Sequence, residues 1–127
     1  MEYISVVTML AVIEYLIFTM LTGRARVKYG VQAPATTGHE IFERYYRVQQ
    51  NTVEQLLIFL PSLWLFGLYI NAVWGAAIGL LFVVGRVLYI RGYIADPSKR
   101  GPGFALGLLA SLILALGGLG GAIVAAL

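Results

Sequence analysis

The sequence predicts an all-α integral membrane protein, a bundle of four transmembrane helices in which residues 1–127 form a single domain. Hydrophobic residues make up 60% of the chain and charged residues only 12%. So few charges could not cover a soluble domain of this size in water. Four apolar stretches each approach the ~20 residues that a helix needs to cross the hydrocarbon core. Lipid therefore surrounds most of the predicted surface.

The first predicted span covers residues 4–21 and contains one acidic residue, Glu14. Residues 1–3 lack the basic region of a signal peptide, and no small-residue cleavage site follows, so we expect a retained helix. A polar stretch follows at residues 22–38. Its glycines and proline, Gly30, Pro34 and Gly38, are typical of a loop.

The second helix is predicted to begin at His39 or Glu40 and to become apolar between residues 56 and 70. Pro61 lies inside it and is expected to bend it, because proline removes one backbone hydrogen bond. Residues 69–73 form a very short link in which Asn71 is the only strongly polar residue. The second and third helices are therefore predicted to form a tight antiparallel hairpin.

The third span is predicted at residues 73–90, and a loop rich in proline and glycine at residues 91–103. The last span, residues 104–127, carries no charge. Gly103, Gly107 and Ser111 are spaced four residues apart, a pattern that favours close contact between membrane helices.

The positive charges are confined to one predicted membrane face. With four spans, the first and third loops share a side, and every lysine and arginine lies in those loops or at the adjoining helix ends. They are Arg24, Arg26, Lys28, Arg44, Arg47, Arg86, Arg91, Lys99 and Arg100. The positive-inside rule then predicts cytoplasmic loops and external termini. The net charge of +3 suits anionic lipid or a small acidic ligand rather than nucleic acid.

Two helices also carry polar residues along one face. On the second helix they lie within an arc of about 80° at 100° per residue; they are Arg44, Arg47, Asn51 and Glu54. The third helix repeats the pattern with Arg86, Tyr89 and Tyr93. Such residues also anchor helix ends at lipid headgroups. Two matched faces favour instead a pocket for a small zwitterion with several carboxylates, which arginine binds through its fork.

The run from Gly38 to Glu54, GHEIFERYYRVQQNTVE, resembles the signature of the MAPEG family, the membrane-associated proteins in eicosanoid and glutathione metabolism. The family pattern is Gly, three residues, Phe-Glu-Arg, an Arg three further on, then Gln, Asn and Glu. The run RVLYIRGY at residues 86–93 and the later Arg100 extend the resemblance over nearly the whole chain. Gln55 and Val27 replace a tyrosine and an arginine of the leukotriene-synthesising branch, which favours a general transferase.

The resemblance implies a homotrimer of four-helix subunits that binds glutathione near the cytoplasmic face. The minimal loops suit a bacterial inner membrane. The resemblance also implies two groups of glutathione-binding residues, one from each of two neighbouring subunits. The first group is Arg47, Asn51, Glu54, Tyr89 and Tyr93, with Arg86 added from the polar face; the second is Arg26 and Gln49. Arg100 matches the arginine that stabilises the glutathione thiolate and is the predicted catalytic residue. The implied reaction is attack of glutathione on lipophilic electrophiles, with reduction of lipid hydroperoxides as a further activity. No metal site is predicted.

Two alternatives stay open at this point. A small proton-coupled multidrug exporter also has four short helices, and Glu14 would be its proton site; a buried pairing with a neighbouring helix or subunit is the favoured interpretation of Glu14. A non-catalytic, lipid-binding member of the same family would not need a thiolate-stabilising residue at Arg100. The retained arginine favours catalysis.

Overall fold

The computed structural model describes all 127 residues and contains four α-helices long and apolar enough to cross a membrane. These are α1 (Glu2–Lys28), α2 (Glu40–Tyr69), α3 (Ala72–Ala95) and α4 (Gly101–Ala126), with a short 3₁₀ turn at Pro97–Lys99 before α4. The predicted all-α fold with four membrane helices is confirmed.

The core of the bundle is a set of inward-facing side chains from all four helices. On α1 the buried positions recur every three or four residues, as expected for one face of a helix; they are Ile4, Val7, Ala11, Glu14, Phe18, Thr22 and Ala25. Between α2 and α3, the rings of Phe59 and Phe82 stack with centroids 3.9 Å apart. The outer faces expose leucine, isoleucine and valine, as expected of a surface that lipid covers.

Small residues bring α4 close to its neighbours. Gly103, Gly107 and Ser111 are all buried, which agrees with the contact predicted from their spacing. A Cβ atom on Gly85 would lie 2.9 Å from the backbone nitrogen of Gly107, and one on Gly117 would lie 2.5 Å from the ring of Phe66. Side chains at these positions would force the helices apart.

The helices extend beyond their apolar segments, so the predicted loops were too long. Residues 22–28, predicted as loop, continue α1, and residues 91–95 continue α3. Charge excludes a segment from the hydrocarbon core but not from a helix in water. Arg26 and Lys28 occupy the last turn of α1, where positive charge interacts favourably with the helix dipole.

The ends of the helices are fixed by local side-chain bonds. The Nδ1 atom of His39 accepts a hydrogen bond from the Ile41 amide at 3.1 Å, and its ring stacks on Tyr29 at 4.0 Å. Asn71 caps α3 by accepting from the Trp74 amide at 2.9 Å. Only Ile70 and Asn71 separate α2 from α3, so the link is shorter than the predicted residues 69–73, and α2 continues through Pro61 to Tyr69.

Candidate functional site

A polar cavity of about 470 Å³ opens at the end of the bundle that carries the charged loops. Its volume falls within the range of about 300–1,000 Å³ that is typical of small-molecule sites. Side chains from α2, α3 and the start of α4 line it: Arg47, Asn51, Tyr89, Tyr93, Arg100, Gly101 and Phe104. The structure thus brings together five of the predicted site residues, although they come from three separate segments of the chain.

Aromatic rings form one wall of this cavity. Tyr89 is 4% exposed, and its ring centroid lies 5.6 Å from that of Tyr93 and 6.1 Å from that of Phe104. Both pairs are tilted, an arrangement that aromatic rings favour. Packing against these two rings orients Tyr89 at the cavity. Phe104 was not among the predicted site residues; its only sequence signal is its position four residues after Arg100.

Arg86 lies behind this wall rather than on it. Its side chain is 1% exposed, and one amino group donates to Asn51 Oδ1 and to Thr52 Oγ1, both at 2.8 Å. Its guanidinium carbon lies 4.2 Å from the ring centroid of Tyr89, over the ring face. The prediction grouped Arg86 with the ligand-binding residues. The structure instead buries it: its acceptors are Thr52, which is fully buried, and Asn51, which itself lines the cavity.

Arg100 lies at the rim of the cavity, where the turn after α3 leads into α4. Its Nη1 atom donates to the Pro97 carbonyl at 2.7 Å, while the rest of the side chain is exposed. The turn itself is held by Asp96, whose carboxylate accepts from the Ser98 amide at 3.0 Å. This hydrogen bond holds the pKa of Asp96 below its usual value. The turn therefore fixes one edge of the Arg100 guanidinium and leaves the other free.

Three predicted site residues lie away from the cavity of the same chain. Arg26 donates to the Ala35 carbonyl at 2.7 Å, and Gln49 donates to Thr19 Oγ1 at 3.3 Å. Glu54 is exposed on α2, one turn beyond Asn51. Within this chain, none of the three contributes to the cavity wall.

A second polar cavity of about 400 Å³ adjoins the first and shares Arg47 and Tyr93 with it. Arg44 lies in this second cavity. It forms an ion pair with Glu40 and donates to the Ile94 carbonyl at 2.8 Å. The Ile94 bond joins α2 to α3 beside the second cavity.

The electrostatics of the first cavity favour an anionic ligand. Arg47 and Arg100 line it, Arg86 lies directly behind it, and no acidic side chain is part of its wall. Guanidinium groups in such a site bind carboxylates through paired hydrogen bonds. No group of three or more histidine, aspartate and glutamate residues is arranged so that it could hold a metal ion.

Four helices long and apolar enough to cross a membrane, with a basic, aromatic-walled cavity at one end, define a multi-pass integral membrane protein with a candidate small-molecule site. The family model for the MAPEG family matches residues 4–120. An uncharacterized protein of Synechocystis is 51% identical over 115 residues, covering 91% of this chain and 84% of the relative. Human microsomal glutathione S-transferase 2 is 44% identical over 119 residues, covering 92% and 80%. Leukotriene C4 synthase of Cavia porcellus is 36% identical over 118 residues, covering 92% and 79%. The chain belongs to the MAPEG family, as the motif at residues 38–54 predicted.

Proposed function

We propose that this protein is a membrane-bound glutathione transferase that activates the thiol of glutathione for attack on lipophilic electrophiles. The observation that carries the proposal is the cavity that joins Arg47, Asn51 and Tyr93 to Arg100 at one rim. Microsomal glutathione S-transferase 2 of human, cow and mouse is 37–44% identical to this chain, which supports the same class of reaction here. Membership of the MAPEG family favours this reaction over a multidrug exporter.

The chemistry of the cavity suits the groups of glutathione. The tripeptide has two carboxylates, for which Arg47 supplies a charged fork, and backbone amides, for which Asn51 and Tyr93 supply neutral partners. Glu54, exposed on the same face of α2, suits the ammonium group. Burial of Arg86 behind Asn51 holds the amide in one orientation, because the carboxamide oxygen is already committed to the arginine.

Arg100 supplies the proposed catalytic step. A thiol with a pKa of about 8.5 is mostly protonated at neutral pH, and only the thiolate is a good nucleophile. A guanidinium beside the sulfur favours the anion, and lowering the thiol pKa by ~2 units corresponds to roughly 2.7 kcal/mol. The thiol proton passes to water, the sulfur forms a bond to the electrophilic carbon, and the leaving group departs with its electron pair. With a lipid hydroperoxide as acceptor, two glutathione molecules would yield the disulfide, the lipid alcohol and water.

The working unit is proposed to be a homotrimer with the site between neighbouring subunits, in which Arg26 and Gln49 come from the adjacent chain. Their position away from the cavity of their own chain supports this arrangement. So does the exposure of Glu54, which lacks a partner for its carboxylate within one subunit. Charge asymmetry and the Synechocystis relative support a bacterial inner membrane, with the site facing the cytoplasm.

Titration of the purified protein with glutathione tests the proposal, with thiolate formation followed by ultraviolet absorbance and turnover measured with a chloronitrobenzene acceptor. We expect saturable binding, a thiolate signal at neutral pH and conjugation that follows the occupancy of the site. Binding without a thiolate signal would instead indicate a non-catalytic, lipid-binding member of the family. Absence of binding would contradict the proposed ligand.

A further inference from the structure

Two adjoining depressions lie on the side of the bundle, separate from the candidate glutathione site. One, of about 150 Å³, contains Arg24 and Lys28 of α1, and the other, of about 400 Å³, contains Arg91 of α3. Both are lined by Leu21 and Tyr45, so they form one continuous depression between α1, α2 and α3, which we call the lateral groove. None of its lining residues belongs to either polar cavity described above.

The three cations of the lateral groove have no anionic partner in the chain. Arg24, Lys28 and Arg91 are all exposed and form no ion pair, and no acidic side chain lines the groove. By contrast, Arg44 at the same end of the bundle pairs with Glu40. The lateral groove therefore concentrates positive charge that the protein itself does not neutralise.

The deeper part of the lateral groove is apolar. Both α1 and α3 end at the charged end of the bundle, so Leu21 and Ile90 are the lining residues of these helices that lie farthest from it. Exposed apolar side chains continue from them toward the middle of the bundle. Ile17 lies one turn before Leu21, and Val87 lies one turn before Ile90. The groove thus places its cations near the headgroup level and opens below them onto the lipid-covered surface.

The residues proposed to meet a neighbouring subunit lie on another side of α1. Thr19, which bonds to Gln49, and Arg26 are seven residues apart and share one face of this helix. Leu21 and Lys28 share a second face in the same way. Because two residues along a helix correspond to a rotation of about 200°, the two faces point in nearly opposite directions. The proposed trimer therefore leaves the lateral groove to lipid.

The ligand that fits cations above an apolar wall is an anionic phospholipid. Its phosphate accepts charge-assisted hydrogen bonds from arginine and lysine, and basic pockets between membrane helices bind such head groups. A soluble anion would leave Leu21 and Ile90 uncovered, whereas an acyl chain covers them. Tyr45 also suits this depth, because tyrosine is enriched where the membrane meets water.

We propose that the lateral groove binds one anionic phospholipid from the leaflet at the charged end of the bundle. The phosphate lies between Arg24 and Lys28 of α1 and Arg91 of α3, and an acyl chain follows Leu21 and Ile90 into the membrane. The bound lipid bridges α1 and α3 where these helices leave the membrane. This site does not depend on the proposed glutathione reaction, because the two sites share no residue.

Native mass spectrometry of the purified full-length protein in detergent micelles tests the proposal. Phosphatidylglycerol and phosphatidylcholine with identical acyl chains are titrated separately, and the fraction of protein that carries lipid gives each Kd. We expect one phosphatidylglycerol per chain, with a Kd at least about tenfold below that of phosphatidylcholine, because three cations contribute. Equal Kd values for the two lipids would overturn the proposal.

Single neutral substitutions locate the site. Arg24→Gln and Arg91→Gln are each expected to raise the Kd of phosphatidylglycerol by about fivefold, and to change that of phosphatidylcholine by less than about twofold. Lys99→Gln is the matched control, because Lys99 is an exposed cation at the same end that does not line the groove. An equal effect in all three variants would show diffuse attraction and overturn the proposed site.

Two further measurements separate a lipid from other occupants. Ala95→Trp fills part of the groove without changing its charge, and we expect it to raise the Kd of phosphatidylglycerol by about fivefold or more. sn-Glycerol 3-phosphate, which carries the phosphate without acyl chains, should not displace the lipid. Displacement would indicate a site for soluble anions instead. A trimer that binds no phosphatidylglycerol would show that a second copy of the chain covers the groove, and either result would overturn the proposal.

Discussion

Gly103 packs directly against the backbone of Tyr89. A Cβ atom built on Gly103 would lie 2.7 Å from the Tyr89 Cα atom, so α4 and α3 touch main chain to main chain. Arg100 precedes Gly103 by three residues, at the rim of the cavity that Tyr89 lines. The absence of a side chain at Gly103 therefore sets the distance between the aromatic wall of the site and its proposed catalytic arginine.

Substituting Gly103 by alanine is expected to lower turnover about tenfold or more, because the added methyl group pushes the start of α4 and Arg100 away from Tyr89. Overpacking of this kind typically also costs 1–3 kcal/mol of stability. Gly120→Ala is the control, since a Cβ at Gly120 meets nothing within 4 Å. Turnover with a chloronitrobenzene acceptor, measured at saturating glutathione, checks the prediction. Equal rates for the two variants would show that close α3–α4 contact does not position Arg100.

Arg100→Ala is expected to slow conjugation by roughly ten- to a hundredfold while leaving the glutathione Kd within about threefold, because the arginine acts on the thiolate. Lys99→Ala is the matched control. Lys99 is an exposed cation one residue away that does not line the cavity. Stopped-flow absorbance of the thiolate, titrated with glutathione, reports the Kd, and steady-state turnover reports the rate of conjugation. Unchanged turnover in Arg100→Ala would remove the proposed catalytic role.

Arg47→Ala is expected to weaken glutathione binding by about ten- to a hundredfold, the usual range for a lost hydrogen bond to a charged group. Arg91→Ala is the control, because Arg91 lies at the same end of the bundle in a different, mostly apolar groove. Both variants lose one positive charge, so a difference between their Kd values separates direct contact with glutathione from long-range electrostatic attraction. Equilibrium dialysis at two salt concentrations makes the comparison. A similar loss of affinity in both variants would mean that the positive charge at this end of the bundle attracts glutathione without a specific contact to Arg47.

The number and order of the helices could be predicted from the sequence because lipid imposes a length and a polarity on each span. The motif of the second helix also identified Arg47 and Asn51 as neighbours, since four residues separate them on one face. Helix ends were harder to predict. Residues 22–28 carry three cations yet remain helical, because hydropathy reports where the lipid ends rather than where the hydrogen-bonded turns end.

The separation of Arg86 from the ligand-facing residues could not be predicted, because sequence spacing gives the face of a helix but not what lies opposite. Arg86, Tyr89 and Tyr93 follow one another along α3, yet only the tyrosines reach the cavity. The hydrogen bond from Arg86 to Thr52 accounts for the different position of Arg86. The Thr52 hydroxyl donates to the Val48 carbonyl at 2.7 Å and accepts from Arg86, and a threonine inside a helix has no sequence signal for such a contact.

Complementation between two inactive variants tests whether the site lies between subunits. Arg26→Ala and Arg47→Ala are each expected to lose most activity. In a trimer that contains both chains, one interface pairs an intact Arg47 with an intact Arg26. Co-expressed and co-purified through two different tags, the mixed trimers should therefore regain activity. If each site lies within one chain, the mixed preparation will not recover activity. A monomeric protein will not recover activity either, and the double-tag purification identifies that case because no species carries both tags.

The absence of cysteine from the chain allows the predicted orientation to be tested with single introduced thiols. Thr36→Cys and Ser98→Cys place a thiol in the first and third loops, and Val73→Cys places one at the hairpin; all three positions are exposed. We expect a membrane-impermeant maleimide to label Val73→Cys in intact spheroplasts, and the two loop variants only after the membrane is opened. The physical reason is that nine cations flank the two loops, whereas the hairpin has none. Labelling of Ser98→Cys in intact spheroplasts would invert the orientation and move the candidate glutathione site, which adjoins this turn, to the outer face.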